Sequence, residues 1–556
     1  MFMRVKKSGK YEYLQVVRNE RVEGRVRQQV IATLGRHDLL KASGQLDALV
    51  ASSARFLEHS VVISAVRKGH VEAAATKRIG PALVFERLWR ELGLPQLLQR
   101  LLQQRKFGFD VERAIFLTVL HRLFAPGSDR AAEQWRQRYV IDGVDELDLH
   151  HLYRAMAWLG ETLDEQNQLD ATLAPRCVKD RIEEALFEKN RDLFSGLELV
   201  FFDTTSIYFE GDGGQTLGMR GKSKDHRPDL KQMVVGMVLD ATGRPICCEL
   251  WPGNVSDAKT LIPIVDRLKH RFHIASICVV ADRGMISKKT IEQLQAKDRR
   301  VRFILGARLR AVKEIRQTVL ADTGAYHRVR GPRQKTKDPA PLQVKEVRVD
   351  DRRYIVCHNE EQATADRKAR EAIVASLRDK VKTDAKALVG NKGYRKYLKV
   401  TSEQAFVVDD AKIDSEARFD GKWVLQTDTE LTPEEVALKY KDLILVETLF
   451  RSLKSIFDTR PIYHKRDETI RGHVFCSFLA AVLLKELFAR FESRGWKTEW
   501  NRLRQDLDAL EDVTVATAGK SFVVRSQTTG DAGKAIQAAG VALGPVVRIK
   551  DSGNGK

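Results

Sequence analysis

Apolar and polar residues change period along this chain, and the changes divide it. Residues 1–40 alternate around a turn-rich centre, with Tyr13, Leu14, Val16 and Val17 before Asn19, then Val26, Val30 and Ile31. A period of two with a central turn predicts a small β-hairpin unit. Over residues 81–194 the spacing becomes three to four, in runs such as PALVFERLWRELGLPQLLQRLL and DVERAIFLTVLHRLF, and predicts an all-helical stretch. At Leu197 the period changes again: LELVFFDTTSIYF has the character of a buried strand, followed by KQMVVGMVLD, the turn ATGR, and PICCELW as a hairpin partner. A helix over 257–272, the strand ASICVVAD, a helix over 287–296 and the strand VRFILGA complete the order βββαβαβ.

A long mixed tract follows. It holds a hairpin candidate (VKEVRV, the turn Asp350-Asp351, RRYIVC), a charged helix over 363–382 and a strand after the Asp420-Gly421 turn, which together suggest an inserted β-rich domain. Thr432, Pro433, Glu434 and Glu435 then make a capping-box start, and the helix breaks or continues into YKDLILVETLFRSLKS. Further helices are expected over 467–492 and 500–510, before a tail rich in Gly and Val. The pattern as a whole predicts an α+β multidomain chain. Its parts are a basic hairpin unit (1–60), a helical DNA-binding domain (61–195), the first part of a catalytic core (196–310), a β-rich insertion (311–430), a helix completing the core (431–465), and C-terminal helices with a tail (466–556).

A chain of 556 residues with 43% hydrophobic residues has ample material for several cores. Its 95 Lys and Arg against 75 Asp and Glu, a net charge of +20, favour an extended polyanionic partner such as nucleic acid. Residues 1–40 carry nine Lys/Arg against four Asp/Glu, and residues 299–353 carry 16 against 6. A basic loop of that kind is equally a solvated surface. The six cysteines form no CxxC pair and lie mostly in apolar runs, which argues against a zinc ribbon or a disulfide framework and for a reducing cytoplasm. The N-terminus has no apolar signal core, and the longest apolar run, residues 474–484, is too short to span a bilayer, so no membrane partner is expected.

The candidate chemistry lies in three acids. Asp203 interrupts an apolar strand, where a carboxylate without a partner costs several kcal/mol. Asp282 ends the strand VVAD, a place where Asp also serves simply to cap a turn. In a βββαβ order the first and fourth strands lie side by side, so both side chains reach one crevice and their charges call for a divalent cation. Magnesium suits such an all-oxygen site. At about 100° per residue, Tyr440, Glu447 and Lys454 share one helix stripe, with Arg451 one turn beyond Glu447. Taken alone, Glu447 with its i+4 Arg is an ordinary surface pair. Joined to two strand acids, a basic chain and an element order matching a ribonuclease-H-like mixed sheet flanked by helices, it completes a triad able to hold two metal ions for phosphodiester chemistry.

The segments FFDTTSIYFEG, GKSKDHRPDLKQMVVGMVLD, WPGNVSDAKTL, VVADRGMIS and YKDLILVETLFRSLKSIFDTRPIYH resemble a bacterial insertion-sequence transposase of the DDE type, in the branch with a Tyr/Arg/Glu/Lys signature on the last catalytic helix. The resemblance implies Asp203, Asp282 and Glu447 as catalytic ligands of two Mg2+ ions, with Mn2+ able to substitute. It implies Tyr440 and Lys454 as contacts to phosphate or transposon ends. The signature expects an Arg three residues after the Tyr, where this chain has Leu443; Arg451 is the candidate replacement. A β-rich insertion between the second Asp and the Glu also belongs to that branch. The implied reaction is nicking, hairpin formation at the ends, hairpin opening and strand transfer into target DNA by a homodimer that pairs two terminal inverted repeats, in the bacterial cytoplasm at the nucleoid.

Hairpin ends require a flipped base held by stacking, for which Trp423 is a candidate, although an aromatic on a strand is more often core. Gly211, Gly213, Gly214, Gly218 and Gly221, followed by Lys222, Lys224, His226 and Arg227, predict a flexible cationic loop beside Asp203 that clamps DNA or is merely a mobile surface. Two rival functions remain open: a metal-dependent nuclease or resolvase that cuts without joining, and a DNA-binding regulator that has lost its chemistry.

Overall fold

The computed structural model describes residues 2–22, 25–46, 48–49, 72–163, 175–191, 198–296, 301–335, 338–383, 392–400, 406–517 and 520–550. The expected junctions near residues 60 and 195 lie outside these. Two units emerge: one of residues 1–76, 512–526 and 545–556, the other of residues 77–511 and 527–544.

The first unit opens with β1 (Phe2–Ser8), β2 (Tyr11–Val22) and β3 (Arg25–Arg36), an antiparallel three-stranded sheet rather than a lone hairpin, then a short helix α1 (His37–Ala42) and β4 (Glu72–Arg78). In the second unit come α2 (Gly80–Glu91), α3 (Leu94–Leu102), α4 (Val111–Phe124), α5 (Asp129–Trp135), α6 (Leu149–Leu159) and α7 (Val178–Asn190). Then follow β5 (Glu198–Tyr208), β6 (Gln232–Leu239), β7 (Pro245–Pro252), α8 (Leu261–Phe272), β8 (Ile277–Ala281), α9 (Lys288–Gln295) and β9 (Val301–Gly306), in the βββαβαβ order that the periodicity predicts.

These strands pair as β7-β6-β5-β8-β9, with β5, β8 and β9 parallel and β6 and β7 antiparallel to their neighbours. The expected inserted domain does not form a sheet of its own. Its strands β10 (His327–Arg330), β11 (Leu342–Val349), β12 (Arg352–His358) and β15 (Lys422–Thr427) continue the same sheet beyond β9, giving a nine-stranded mixed sheet in the order β10-β11-β12-β15-β9-β8-β5-β6-β7. The exposed edge of β9 supplies the reason, since its unpaired backbone groups demand a partner and β15 provides one. Between β12 and β15 lie α10 (Glu360–Thr383), α11 (Lys392–Arg395), the separate pair β13 (Leu398–Val400) and β14 (Phe406–Val408), and α12 (Asp410–Ala417).

Strand residues alternate between two apolar layers, as a period of two requires. Phe201, Ile207, Met237, Cys278 and Val280 face the larger core, while Val200, Phe202, Val238, Val279 and Ala281 face a smaller one covered by α8. On the larger face sit α13 (Pro433–Lys441), α14 (Ile444–Ser455) and the long α15 (Asp467–Glu492), with α16 (Trp500–Asp508) and α17 (Ala532–Ala538). The last strands, β16 (Glu511–Thr517), β17 (Lys520–Arg525) and β18 (Val547–Lys550), line up as β18-β17-β16-β4 in the first unit.

The expected helical domain is likewise no separate body. Phe85, Trp89, Phe116 and Ile182 belong to the same core as the sheet residues Phe201 and Met233. The edge strand β7 is closed by α7: Lys179 Nζ donates to Cys248 O at 2.7 Å, and Cys248 N donates to Glu183 Oε1 at 3.0 Å. All six cysteines are free and buried. Among the described residues no helix is long and apolar enough to cross a membrane.

α15 is buried along most of its length and crosses α6 at backbone contact. A Cβ on Gly472 would lie 1.9 Å from Met156 O, and one on Gly160 would lie 2.0 Å from Glu468 O. Overpacking a crossing between two rigid helices costs about 1–3 kcal/mol or more. Gly472→Ala is therefore expected to lower stability by at least that amount, measurable as a reduced urea midpoint against Gly495→Ala, whose cost is limited to its left-handed backbone.

Candidate active site

Asp203 and Asp282 are brought together by strand register. Phe202 of β5 pairs with Ala281 of β8, so each acid is the residue just beyond that pair on two adjacent parallel strands. Asp203 shares the parity of Phe201, and Asp282 that of Val280, which aims both at the sheet face that α14 covers. Glu447 lies in the first turn of α14, exposed, while Val446, Phe450 and Leu453 on the opposite stripe pack into the core. Asp203, Asp282 and Glu447 line one cleft of about 260 Å³ together with Trp423, Tyr440 and Leu443.

The helix predicted to run unbroken through Tyr440 and Lys454 is divided: α13 ends at Lys441 and α14 begins at Ile444. The single stripe does not exist, and Tyr440 reaches the acids from α13. Its hydroxyl donates to Asp282 Oδ1 at 2.8 Å. Burial, then the Asp282 charge, pushes the phenol well above its usual range, so it stays protonated and orients that carboxylate. Gly306 on β9 makes room for it, since a Cβ there would lie 2.4 Å from the Tyr440 hydroxyl oxygen.

Asp203 is part-buried and accepts a hydrogen bond from Thr204 N at 2.7 Å. Desolvation pushes its carboxyl up to about 6, against the pull of Lys224, and Asp282 and Asp257 add to the rise. An all-oxygen cleft whose buried acid is short of positive charge fits a hard divalent cation. Among the described residues, the acid and histidine groups whose ligand atoms lie within 4.8 Å of one another are Asp129/His464/His473, Asp148/His150/His151 and Asp180/Glu183/Glu249. The triad is a looser arrangement than these. In the first of them Arg122 Nη2 lies 3.0 Å from His473 Nδ1, a cation that disfavours a metal and marks a structural network.

The other residues singled out in the sequence fall into different surroundings. Lys224 points inward: its Nζ donates to Thr204 O at 2.6 Å and lies 3.4 Å from Asp257 Oδ2. Lys454 Nζ donates to Asp225 Oδ1 at 2.7 Å. Arg227 pairs with Asp229 at 2.8 Å, while Lys222, His226 and Arg451 are exposed. Leu443, where an Arg is expected, is buried against the core. Trp423 is half-buried, with Lys441 Nζ 5.5 Å from its ring centroid. The glycine-rich loop is pinned, not free, because Gln215 N and Thr216 N both donate to the Asp467 carboxylate, and a Cβ on Gly214 would collide with it.

Several residues of the site escaped the sequence reasoning. Asp257, just before α8, accepts from Thr204 Oγ1 at 2.7 Å beside Asp203. Arg308 follows β9, and its guanidinium donates to Arg283 O and Gly284 O. With Lys222 it lines two adjoining clefts of about 370 and 470 Å³, the second also lined by Arg283 and Arg310. The signal was in the chain, as a cation directly after Asp282 and two more directly after VRFILGA, but only the fold places them together.

Residues 195–483, more than half of the chain, match the family described as transposase DDE domain. Residues 3–64 match the IS1634 family transposase, N-terminal domain. No curated protein matches the chain. Among solved structures, the cryo-EM structure of a piggyBac transposase synaptic complex with hairpin DNA is similar at a TM-score of 0.39 and 10% identity, covering 77% of this chain and 76% of that one.

A carboxyl raised from 3.8 to about 6 favours the protonated form in the folded state. Stability is then lost as pH rises between those values, and above about 6 the full cost of about 3 kcal/mol is present. Asp203→Asn is expected to raise the stability of the metal-free protein by up to about 3 kcal/mol at pH 7 and by little at pH 4, as read by urea denaturation at the two pH values.

Proposed function

The chain belongs to the DDE transposase family, and from that premise we propose that it moves an insertion sequence by cut-and-paste, cleaving the element's ends and joining them to target DNA. The observation that carries this reading is the convergence of Asp203, Asp282 and Glu447, from two strands and a distant helix, on one cleft. The strand order β7-β6-β5-β8-β9, with helices on both faces, supports a ribonuclease-H-like core whose sheet the insertion extends. Tyr440, Glu447 and Lys454 support the Tyr/Arg/Glu/Lys branch, with Leu443 as its departure.

Asp203, Asp282 and Glu447 would hold two divalent ions, Mg2+ by preference for oxygen ligands. Such ions, when bound, lower the pKa of an attacking hydroxyl and neutralise charge on the leaving oxygen. The protein's own part is to hold the acids: Tyr440 fixes Asp282, Thr204 N fixes Asp203, and Lys224 with Asp257 balances the charge behind them. Exposed Lys222, Arg283, Arg308 and Arg310 offer phosphate contacts along the adjoining clefts. Trp423, lining the same cleft as the acids, is positioned to stack on a base turned out of the duplex, which supports hairpin ends. Paired ends call for two copies of the chain.

The test is incubation of the purified protein with Mg2+ and a labelled duplex ending in the element's own terminal inverted repeat, with supercoiled plasmid as target. Cleaved ends and their covalent insertion into plasmid are expected. Asp203→Ala and Glu447→Ala should each reduce both products by at least about a thousandfold. Cutting without joining identifies a nuclease, and no cutting with intact end binding identifies an inactive regulator. Trp423→Ala is expected to diminish hairpin-ended product on denaturing gels while leaving the first nick; unchanged hairpins would remove the stacking role.

A further inference from the structure

Two consecutive residues of the glycine-rich loop reach in opposite directions. Lys224 is fastened to β5: its backbone N donates to Ser206 Oγ at 2.7 Å, and its Nζ donates to Thr204 O at 2.6 Å and Thr204 Oγ1 at 2.9 Å. Thr204 is the residue next to Asp203. Asp225 is fastened to the other catalytic element: its Oδ1 accepts from Lys454 Nζ of α14 at 2.7 Å and also pairs with Arg460 just beyond that helix. The Asp225 side chain is only 6% exposed and that of Lys454 14%. Asp225 Oδ2 is buried without a hydrogen-bond partner among the described residues.

We propose that Lys224 and Asp225 act as a two-sided staple that sets the rotation of the Glu447 helix against the Asp203 strand, with Lys454 as a positioning residue rather than a DNA contact. This rests on Asp203, Asp282 and Glu447 being metal ligands. Glu447 and Lys454 are two turns apart on one stripe of α14, so holding one holds the other. A carboxylate carried about 5–6 Å from a helix axis moves about 2 Å when the helix turns by about 20°. Metal-ligand distances tolerate about 0.2 Å, so a small loss of helix orientation is a large loss of coordination. A nearly buried ion pair is suited to the task, because removing either partner leaves an uncompensated charge that the surroundings must move to hydrate. A lysine spent on Asp225 is not available to a phosphate.

The fold does not depend on the staple. Val446, Phe450 and Leu453 keep α14 in the core, and Ile462 bridges to Phe209 at the end of β5. Variants at Asp225 and Lys454 are therefore expected to fold and to differ in the orientation of the exposed face.

The experiment measures two equilibria on the full-length protein. Mn2+ affinity of the DNA-free protein is read from free Mn2+ by electron paramagnetic resonance. Affinity for a duplex carrying the terminal inverted repeat is read at several salt concentrations without divalent ions. Asp225→Ala and Lys454→Met are each expected to weaken Mn2+ binding about tenfold, the usual cost of losing an outer support of a metal ligand. Lys454→Arg, which keeps the ion pair, should restore most of it. Lys454→Met should change duplex affinity by less than about twofold and leave the salt slope as it was. A Lys454→Met protein with unaltered Mn2+ binding, weaker duplex binding and a salt slope reduced by about one would overturn the proposal in favour of phosphate contact. Unaltered Mn2+ binding in Asp225→Ala overturns it too. Asp203→Ala is the separate control: if it binds Mn2+ like the parent, the ligand assignment itself fails, an outcome distinct from failure of the staple.

Discussion

The burden on this fold is a carboxylate placed where a β-sheet meets its apolar cover. Asp203 occupies a position of β5 whose neighbours in parity, Phe201 and Ile207, are fully buried. Water cannot solvate it freely, and the carboxyl responds by rising to about 6. Every nearby arrangement addresses that cost. Thr204 N donates to it, Lys224 is drawn inward beside it, and Asp282 and Glu447 are set so that a cation shared with them would satisfy all three at once. A site that is electrostatically unsatisfied when empty is strongly driven to bind the ion it lacks.

The two apolar layers make that placement reproducible. β5 and β8 are buried on both faces, so a slip of one residue in their register would turn Asp203 and Asp282 towards the α8 layer and put Phe202 in their place. The smaller core is dry and closely packed and has no room for charges. Core packing on one face thus fixes the chemistry on the other, and the helices before β5, which share the larger core, are part of the same constraint.

Much of this was legible in the chain because short-range periodicity carries it. The period-two runs located β5 to β9, the acids interrupting them stood out against their apolar neighbours, and the capping box at Thr432 marked the start of α13. What failed were inferences that assumed local continuity. Tyr440 and Lys454 match one helical stripe only if the helix is unbroken, and the turn at Asp442 and Leu443 breaks it. The cationic loop looked free because glycine signals permissiveness, yet at Gly213 and Gly214 the same lack of Cβ serves close packing against Phe209 and Asp467. Lys224 and Lys454 looked available because a cation's partner is invisible until distant segments are superposed. Arg308 and Arg310, hidden among the many basic residues after β9, acquired meaning only from the clefts they line.

The insertion is the clearest case of a segment whose role differs from its appearance. A tract between two catalytic acids invites description as an appendage, but its last strand determines where the third acid goes. β15 pairs antiparallel with β9, setting Thr427 opposite Ile304, and Thr427 Oγ1 donates to Phe303 O at 2.7 Å. Phe303 N in turn donates to Asp428 Oδ1 at 2.8 Å, and Arg302 Nη1 to Asp428 O at 2.7 Å, so the chain leaving β15 is clamped to β9 for another step. Five residues later α13 begins under the Thr432 and Glu435 capping box and delivers Tyr440 to Asp282. The route from sheet edge to tyrosine has little slack. A strand that had not joined the main sheet would leave the Tyr440 hydroxyl, and behind it Glu447, without a fixed distance from the two aspartates; extending the sheet converts a long excursion of the chain into a positional reference for the site.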